Sequence, residues 1–491
     1  MSRYRWVSKD VRMLSYKMKA HGSDGTVALD DSESQASPTQ DTIQWTPEEE
    51  KKLLRKIDLV LMPLLILGFF ALQLDRSNIG NAFTDYFLQD VGINQFQFNI
   101  GNQLMYLGIV LFEIPSNLIL YRVGPAFWIG FQIAAWGLVA TLQAFIRGKG
   151  AGAYYATRFL LGVCECGYIP AGLYTIGRFY KTSEISKRFA WFFLGNMSAN
   201  GAAGLLAYGI LQMRGLAGLA GWQWLFILEG MFTILVAIAF IAFFPQSTVN
   251  PVSLLGRRYF DDHEIQILTT RVFRDDPSKI NVRTHVSRNE LKAALTNWRL
   301  LAHIATIIPS LAAISATFTF APSIVASYGY GRLKANALVS IGYWLLLLTT
   351  ITWGWIADKW GRRGPMVFIG CFIGMIFVIV NRVLVSSDNY QAKFAIIVLI
   401  TAFSFQWRMY PSSEERSVTM AIFIMAANIS GIASGQLFQA HDAPRYRTAW
   451  TVTVALSCVG VLGSVMSNLQ YWVLNRRIAK RGEKDGWVYR P

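Results

Sequence analysis

Two pairs of ionisable side chains lie within otherwise apolar stretches of this sequence: Asp75 with the adjacent Arg76, and Arg158 with Glu165 seven residues later. A charge placed in the middle of a bilayer costs several kcal/mol on most scales, so an ionisable group in such a stretch is a functional hypothesis by default. Seven residues is close to two helical turns, which puts Arg158 and Glu165 on one face. Arginine stays charged, whereas glutamate can take a proton. Their pairing would break whenever Glu165 is protonated and so act as a proton-dependent latch; a static ion pair is the plainer alternative. Arg76 offers a planar fork suited to a carboxylate substrate, and Asp75 offers a second titratable group; here the alternative is an interfacial pair at a helix end. Gln103, Tyr106, Asn200 and Asn428 are candidate substrate contacts, or else polar glue between helices. Glu229 reads as structural. His303 could titrate near neutrality, but its place near the start of a stretch favours a capping or interfacial role.

These residues need elements to hold them. The chain has 491 residues, of which 53% are hydrophobic and only 15% charged, with a net charge of +16. Soluble proteins carry about 25% charged residues, so a large part of this chain must meet something other than water. A disordered chain, a small disulfide scaffold and an ordinary soluble enzyme are excluded. A bilayer-crossing helix needs about 20 mostly apolar residues. Twelve candidates occur, at 56–78, 96–121, 125–145, 151–174, 189–212, 222–244, 300–328, 333–357, 365–385, 392–408, 418–438 and 449–474. The tenth holds only about 15 apolar residues before Trp407-Arg408-Met409-Tyr410-Pro411. It is tilted, re-entrant or shortened by a deletion.

A polar insertion at 246–299 splits the stretches six and six. Ser287 and Glu290 within it form a capping-box pattern that predicts a helix over 288–297. Residues 1–44 are polar and predicted to be disordered. Thr46-Pro47-Glu48-Glu49 reads as a helix start, with Thr46 as cap and Pro47 at the first position. The first fifty residues lack an apolar signal-peptide core, so the first apolar helix is expected to direct insertion. Cys164, Cys166, Cys371 and Cys458 lie in apolar runs without metal-ligand spacing and are expected to be reduced core residues.

Lysine and arginine concentrate in alternate loops, in the 246–299 insertion and in the 475–491 tail. By the positive-inside rule both termini and the central loop face the cytosol. The positive charge is then an anchor to an anionic leaflet rather than a nucleic-acid footprint. The halves also look related: Arg122-Val-Gly-Pro125 recurs as Arg362-Arg-Gly-Pro365, Ile129-Gly130 as Ile369-Gly370, and Ala199-Asn200 as Ala427-Asn428. Two related six-helix repeats imply alternating access around a site between them.

The most specific motif is Gly354-Trp-Ile-Ala-Asp358-Lys359-Trp-Gly361-Arg362-Arg363, between the eighth and ninth stretches. Glycine permits a tight loop and close helix approach, and Asp358 can accept charge-assisted hydrogen bonds. These residues resemble the gating loop of the major facilitator superfamily. The segments Asp75-Arg76-Ser-Asn78-Ile-Gly80-Asn81-Ala82, Glu113-Ile-Pro115-Ser-Asn117, Arg158-Phe-Leu-Leu-Gly162-Val-Cys-Glu165-Cys-Gly167-Tyr-Ile-Pro170 and Gly221-Trp222-Gln-Trp224-Leu-Phe-Ile-Leu-Glu229-Gly230 narrow the resemblance. Together they are similar to the anion:cation symporter family, in particular its fungal allantoate-permease-like branch, over residues 51–477. The segment 407–415 is shorter than the family pattern.

The resemblance implies an all-α membrane protein, with twelve transmembrane helices as two six-helix pseudo-symmetric bundles at 51–245 and 300–474. It implies proton-coupled symport of a small organic anion, with Asp75 and Glu165 as protonation sites and Arg76 and Arg158 handling the anion and the gate. A neutral or cationic vitamin-like substrate, a non-transporting sensor and a non-functional chain are the alternatives. No phosphate loop, zinc spacing or nucleophile elbow is present, so no enzyme activity, cofactor or metal is expected. A monomer in the plasma membrane, with no nucleic-acid partner, completes the expectation.

Overall fold

A computed structural model describes residues 44–279, 299–361, 363–404 and 416–481. The expected helix at 288–297, the Trp407–Pro411 segment, Arg362 and most of the 475–491 tail lie outside the described residues.

The described residues are all-helical, apart from isolated β-bridges at Pro245–Ser253 and Val252–Arg258. In the first half lie α1 (Pro47–Ala82), α2 (Gln95–Val123), α3 (Pro125–Leu142), α4 (Gly150–Glu165), α5 (Tyr168–Phe179), α6 (Thr182–Ile210) and α7 (Gly221–Phe243). Helix α8 (Asp262–Asp275) occupies the central insertion. The second half comprises α9 (Arg299–Ser327), α10 (Arg332–Trp360), α11 (Arg363–Leu384), α12 (Tyr390–Ala402), α13 (Arg416–Ser434) and α14 (Arg447–Arg481). Helices thus stand where the twelve apolar stretches lie, the fourth stretch being split into α4 and α5. Nine of the described helical segments are long and apolar enough to cross a membrane, and α12 and the Phe423–Ser434 part of α13 are shorter apolar helices.

Local chemistry sets several boundaries. Thr46 caps α1: its side chain accepts from the Glu49 N–H while the Glu49 carboxylate accepts from the Thr46 N–H, with Pro47 at the first position. The break between α4 and α5 falls at Cys166-Gly167. Pro170 cannot donate to the Cys166 carbonyl and would clash with it. A Cβ on Gly167 would stand 1.9 Å from Ser116 Oγ and 2.7 Å from Gln132 Nε2, so any side chain there would have to displace both. The break ends α4 at Glu165 and leaves that carboxyl at a helix end. Gly361, at φ 67°, closes α10 in the left-handed conformation and donates to the Ala357 carbonyl.

Two cores divide the bundle along its length. Away from the chain ends, at what we term the distal end, one core is shared by both halves. Phe83 and Phe98 meet Phe320 edge-on, Phe320 stacks on Phe438, and Phe438 packs against Trp450. At the terminal end the first half keeps a core of its own, from Leu53 to Val272, to which the second half adds Ile424. Helix α8 docks on this first half. Arg271, buried, pairs with Glu50 of α1 and Glu184 of α6; Lys56 pairs with Glu264 at 2.6 Å, and Arg188 with Asp58 at 2.7 Å.

A candidate transport site at the centre of the bundle

Arg76 sits on α1 and Glu165 at the last position of α4. Arg76 Nε donates to Glu165 Oε2 at 2.6 Å. The Glu165 side chain is fully buried, whereas Arg76 keeps 14% of its side chain exposed. The pairing therefore differs from the expected Arg158–Glu165 latch. Seven residues separate the latter by about 10 Å of helix rise, beyond the one-turn spacing at which side chains on one helix meet. Arg158 turns instead to α2, where Nη2 donates to Asn102 Oδ1 at 3.2 Å and contacts Met105 Sδ at 3.0 Å. Helices α2 and α4 lie close because Gly162 faces the Met105 carbonyl, where a Cβ would stand 2.0 Å from the oxygen. Arg158 is 1% exposed, and its Nε and Nη1 have no partner.

Asp75 and Arg76 also fail to form a mutual pair. Successive helical residues point about 100° apart. Arg76 turns towards α4 and Asp75 towards α7, where its Oδ2 accepts from Thr233 Oγ1 at 2.8 Å. Both Asp75 and Glu229 are buried.

The remaining candidates fall into two groups. Asn200 stays within the first half, accepting from Gln73 Nε2 at 3.1 Å, while Asn196 donates to Gln73 Oε1 at 2.7 Å. Gln103, Tyr106 and Asn428 belong to the seam between α2 and α13. Gln103 donates to the Ile432 carbonyl at 2.9 Å and accepts from Gln436 Nε2 at 2.8 Å. The Tyr106 ring fills the space beside Gly431. Asn428 Nδ2 donates to Glu113 Oε2 at 3.4 Å. Further out, Asn99 and Gln95 donate to the Phe438 carbonyl. A second seam joins α6 to α10: Gly204 packs on the Asn336 carbonyl and Gly201 on the Trp344 indole, while Asn336 Nδ2 donates to Thr84 Oγ1 at 2.9 Å. Gln95 and Glu113, the two ends of the α2 seam, are about 27 Å apart at 1.5 Å per residue. Hydrogen bonds and packing thus close the halves on each other from the distal end inwards.

Glu113 is a buried carboxyl on this seam that sequence reasoning missed, although it stood in a quoted motif. The rule that singled out Asp75 and Glu165, an ionisable group within an apolar stretch, applies to it equally. His303 is neither a cap nor interfacial: it is buried and meets Tyr471 Oη at 2.9 Å between α9 and α14. In the gating-loop motif, Gly354, Asp358 and Lys359 lie on the last turns of α10, with the Lys359 ammonium 5.1 Å from the Trp355 ring centre. Gly361 makes the turn, and Arg363 begins α11.

Two helical halves closed at one end, with an arginine–carboxylate pair midway along the first half, have the layout of a membrane transporter. The sequence profile of the Major Facilitator Superfamily matches residues 65–413. The chain belongs to that superfamily. It is 29% identical to an uncharacterized transporter of Saccharomyces cerevisiae, YIL166C, over 88% of this chain and 82% of the relative. It is 27% identical to the MFS-type transporter cnsO of Penicillium expansum, over 88% and 84% respectively. Among solved structures the fold is similar to a D-xylose-proton symporter, with a TM-score of 0.65 at 14% identity over 84% of this chain and 97% of that one. It is also similar to an inward-facing, occupied bacterial homolog of the human lysosomal transporter Spinster, with a TM-score of 0.60 at 14% identity over 87% and 97%.

Proposed function

We propose that this transporter moves a small organic anion together with protons by alternating access. The substrate class is that of the anion:cation symporters, whose allantoate-permease-like branch the motifs resemble. The observation that carries the reading is the presence of two guanidinium groups. Arg76, still partly exposed, pairs with Glu165, and the buried Arg158 has two donor nitrogens without a partner. Open guanidinium donors together with a second guanidinium that a protonation can release make a site that favours an anion.

The geometry orders the steps. Proton uptake by Glu165 removes the charge that holds Arg76. The freed guanidinium, with the open nitrogens of Arg158 behind it, takes the carboxylate of the substrate. Loss of the proton restores the pair and expels the anion. Asp75 is a second protonation site in this reading, and the bundles at 51–245 and 300–474 rock about the α2–α13 and α6–α10 seams. Gln103, Tyr106 and Asn428 then act as gate residues whose bonds exchange during the cycle, and the Gly354–Arg363 loop guards the opposite end. With the termini cytosolic in a plasma membrane, the closed distal end faces outwards. No cofactor enters the cycle.

Proton coupling also meets the energy requirement. Moving a bare monoanion inwards against ~100 mV, inside negative, costs about 2.3 kcal/mol. One accompanying proton cancels that cost. A gradient of ~2 pH units then supplies about 2.7 kcal/mol, roughly hundredfold accumulation. Growth complementation across fungal uptake mutants, each requiring one candidate anion, tests the substrate class. Rescue by a carboxylate is the expected result; rescue confined to neutral or cationic nutrients would overturn the reading.

A further inference from the structure

The seam between α1 and α7 carries a second buried polar cluster, separate from the Arg76–Glu165 pair. The two helices run antiparallel, and Thr233 Oγ1 bonds Asp75 Oδ2 at 2.8 Å. One turn further along each helix in the matching direction stand Asn78 on α1, three residues after Asp75, and Glu229 on α7, four residues before Thr233. The same seam that joins Asp75 to Thr233 therefore sets Asn78 against Glu229. Asp75, Asn78, Glu229 and Thr233 are all at least nine-tenths buried. Yet Asp75 Oδ1, both polar atoms of the Asn78 amide and both oxygens of Glu229 have no hydrogen-bond partner.

A buried carboxyl with two unpartnered oxygens is expensive if it is ionised and much less so if it carries a proton. Among the described residues no basic side chain pairs with the cluster, and Arg76, adjacent to Asp75 in the chain, is committed to Glu165. The elements packed around the cluster add few titratable groups. Helix α3 has none in its sequence and contributes the Trp136 indole, whose N–H is also unpartnered. Helix α6 carries Glu184, Lys187 and Arg188 only in its first two turns and Tyr208 near its far end. Helix α4 offers Glu165, beyond Asp75. Two carboxyls thus share one buried seam, about a turn apart, with neutral donors: the Thr233 hydroxyl, the Asn78 amide and the Trp136 indole. Those donors can solvate one negative charge, not two. One proton lying between the two carboxyls leaves that single charge.

We propose that Asp75 and Glu229 form one joint proton-carrying site, so that Glu229 is a further coupling residue of the transport cycle. The inference rests on the proton-coupled reading above. It gives Asp75 a partner on α7 and places the second proton of the cycle one helix away from the anion site. The site loads and unloads as a unit: a proton entering from solvent protonates one carboxyl, which then donates to its neighbour, and the same proton leaves when the bundle opens to the other side.

The test is an infrared pH titration of the full chain in proteoliposomes, following the protonated-carboxyl C=O band. Glu229→Gln, Asp75→Asn, the double variant and Glu165→Gln are compared with the wild type. Coupling predicts that Glu229→Gln moves the midpoint of the remaining Asp75 band by one pH unit or more, tenfold in proton affinity. Asp75→Asn should do the same to Glu229, and Glu165→Gln should move the Asp75–Glu229 band by less than either. Independent, additive loss of two bands would overturn the proposal. So would displacement of the band by sodium ions at constant pH, which would make the cluster a sodium site. Should Glu229→Gln fail to fold, Asp75→Asn with Glu229 intact, together with Glu229→Asp, reads the same coupling. Because the band is followed without substrate, a negative result here is distinct from failure of pH-driven uptake of nicotinate or another test carboxylate by the wild type, which would sink the transport reading itself.

Discussion

Replacing Glu165 by glutamine fixes the site in a form that resembles its protonated state, because the amide keeps an oxygen for Arg76 but loses the charge. The Arg76–Glu165 contact is 2.6 Å long and the carboxylate is fully buried. Breaking such a pair from one side costs about 3–5 kcal/mol. An anion that must displace ionised Glu165 from Arg76 therefore binds about two to three and a half orders of magnitude more weakly than one that meets protonated Glu165, at 1.36 kcal/mol per tenfold. Wild-type affinity for a test carboxylate should fall as pH rises through the titration of Glu165, whereas the variant should bind with nearly constant affinity. Transport separates in the same way. In proteoliposomes with the membrane potential clamped at zero and a gradient of ~2 pH units, one coupled proton supports roughly hundredfold accumulation. The variant loses the proton carried at Glu165, so its accumulation ratio should fall roughly hundredfold below that of the wild type while counterflow exchange persists. A wild-type accumulation ratio in Glu165→Gln, or an unchanged pH dependence of its affinity, would refute the assignment of Glu165 as the group that releases Arg76.

Other expectations follow from the same geometry. Arg76→Lys should weaken carboxylate binding tenfold or more, since lysine lacks the planar fork; unchanged affinity in an equilibrium binding assay would remove Arg76 from the anion site. Gly204→Val should wedge the α6–α10 seam, because a Cβ there meets the Asn336 carbonyl oxygen at 2.4 Å. Spin-label distances across the distal end should lengthen, and an unaltered distribution would show that the seam is not a gate. Arg271→Met should cost about 3–5 kcal/mol by leaving Glu50 and Glu184 without their buried partner, read as a lowered thermal midpoint. Asp275 accepts from the Thr182 N–H at 2.7 Å and its hydroxyl at 2.9 Å. Partial burial opposes its charge, yet these bonds hold its carboxyl below the usual range. With a lowered folded value, this contact is complete above the ordinary aspartate pKa of about 3.9 and is lost as pH falls through the lowered one. Asp275→Asn should expose the 246–299 segment to protease at neutral pH, and an unchanged cleavage pattern would argue against the contact.

Much of the architecture was legible in the sequence because it depends on local and one-dimensional signals. Apolar length located the helices, and the spacing of Thr46, Pro47 and Glu49 located the start of α1. The Gly361 motif marked the turn that ends α10. Helix α4 was harder: its apolar stretch continues through Cys166 and Gly167, and the break depends on Pro170 together with the Ser116 hydroxyl contributed by α2. In the central insertion the capping pattern marked only a helix at 288–297, outside the described residues, and missed Asp262–Asp275, a helix whose buried Arg271 ties α1 to α6.

Partner choice divides the two sources of information more sharply. The sequence alone determined that Asp75, Arg76, Arg158 and Glu165 lie within apolar helices and so must be compensated, since the cost of a buried charge depends on the residue and its burial. It could not determine by what. A helix face is known from sequence only relative to its own axis, and the neighbour it meets is set by packing between distant segments. Close approach at Gly162 gave Arg158 to Asn102 and Met105, the break at Gly167 left Glu165 to Arg76, and the antiparallel seam of α1 and α7 set Asp75 beside Thr233 and Glu229. Tertiary structure decided these pairs because each depends on contacts between helices far apart in the chain, which no spacing along one helix encodes.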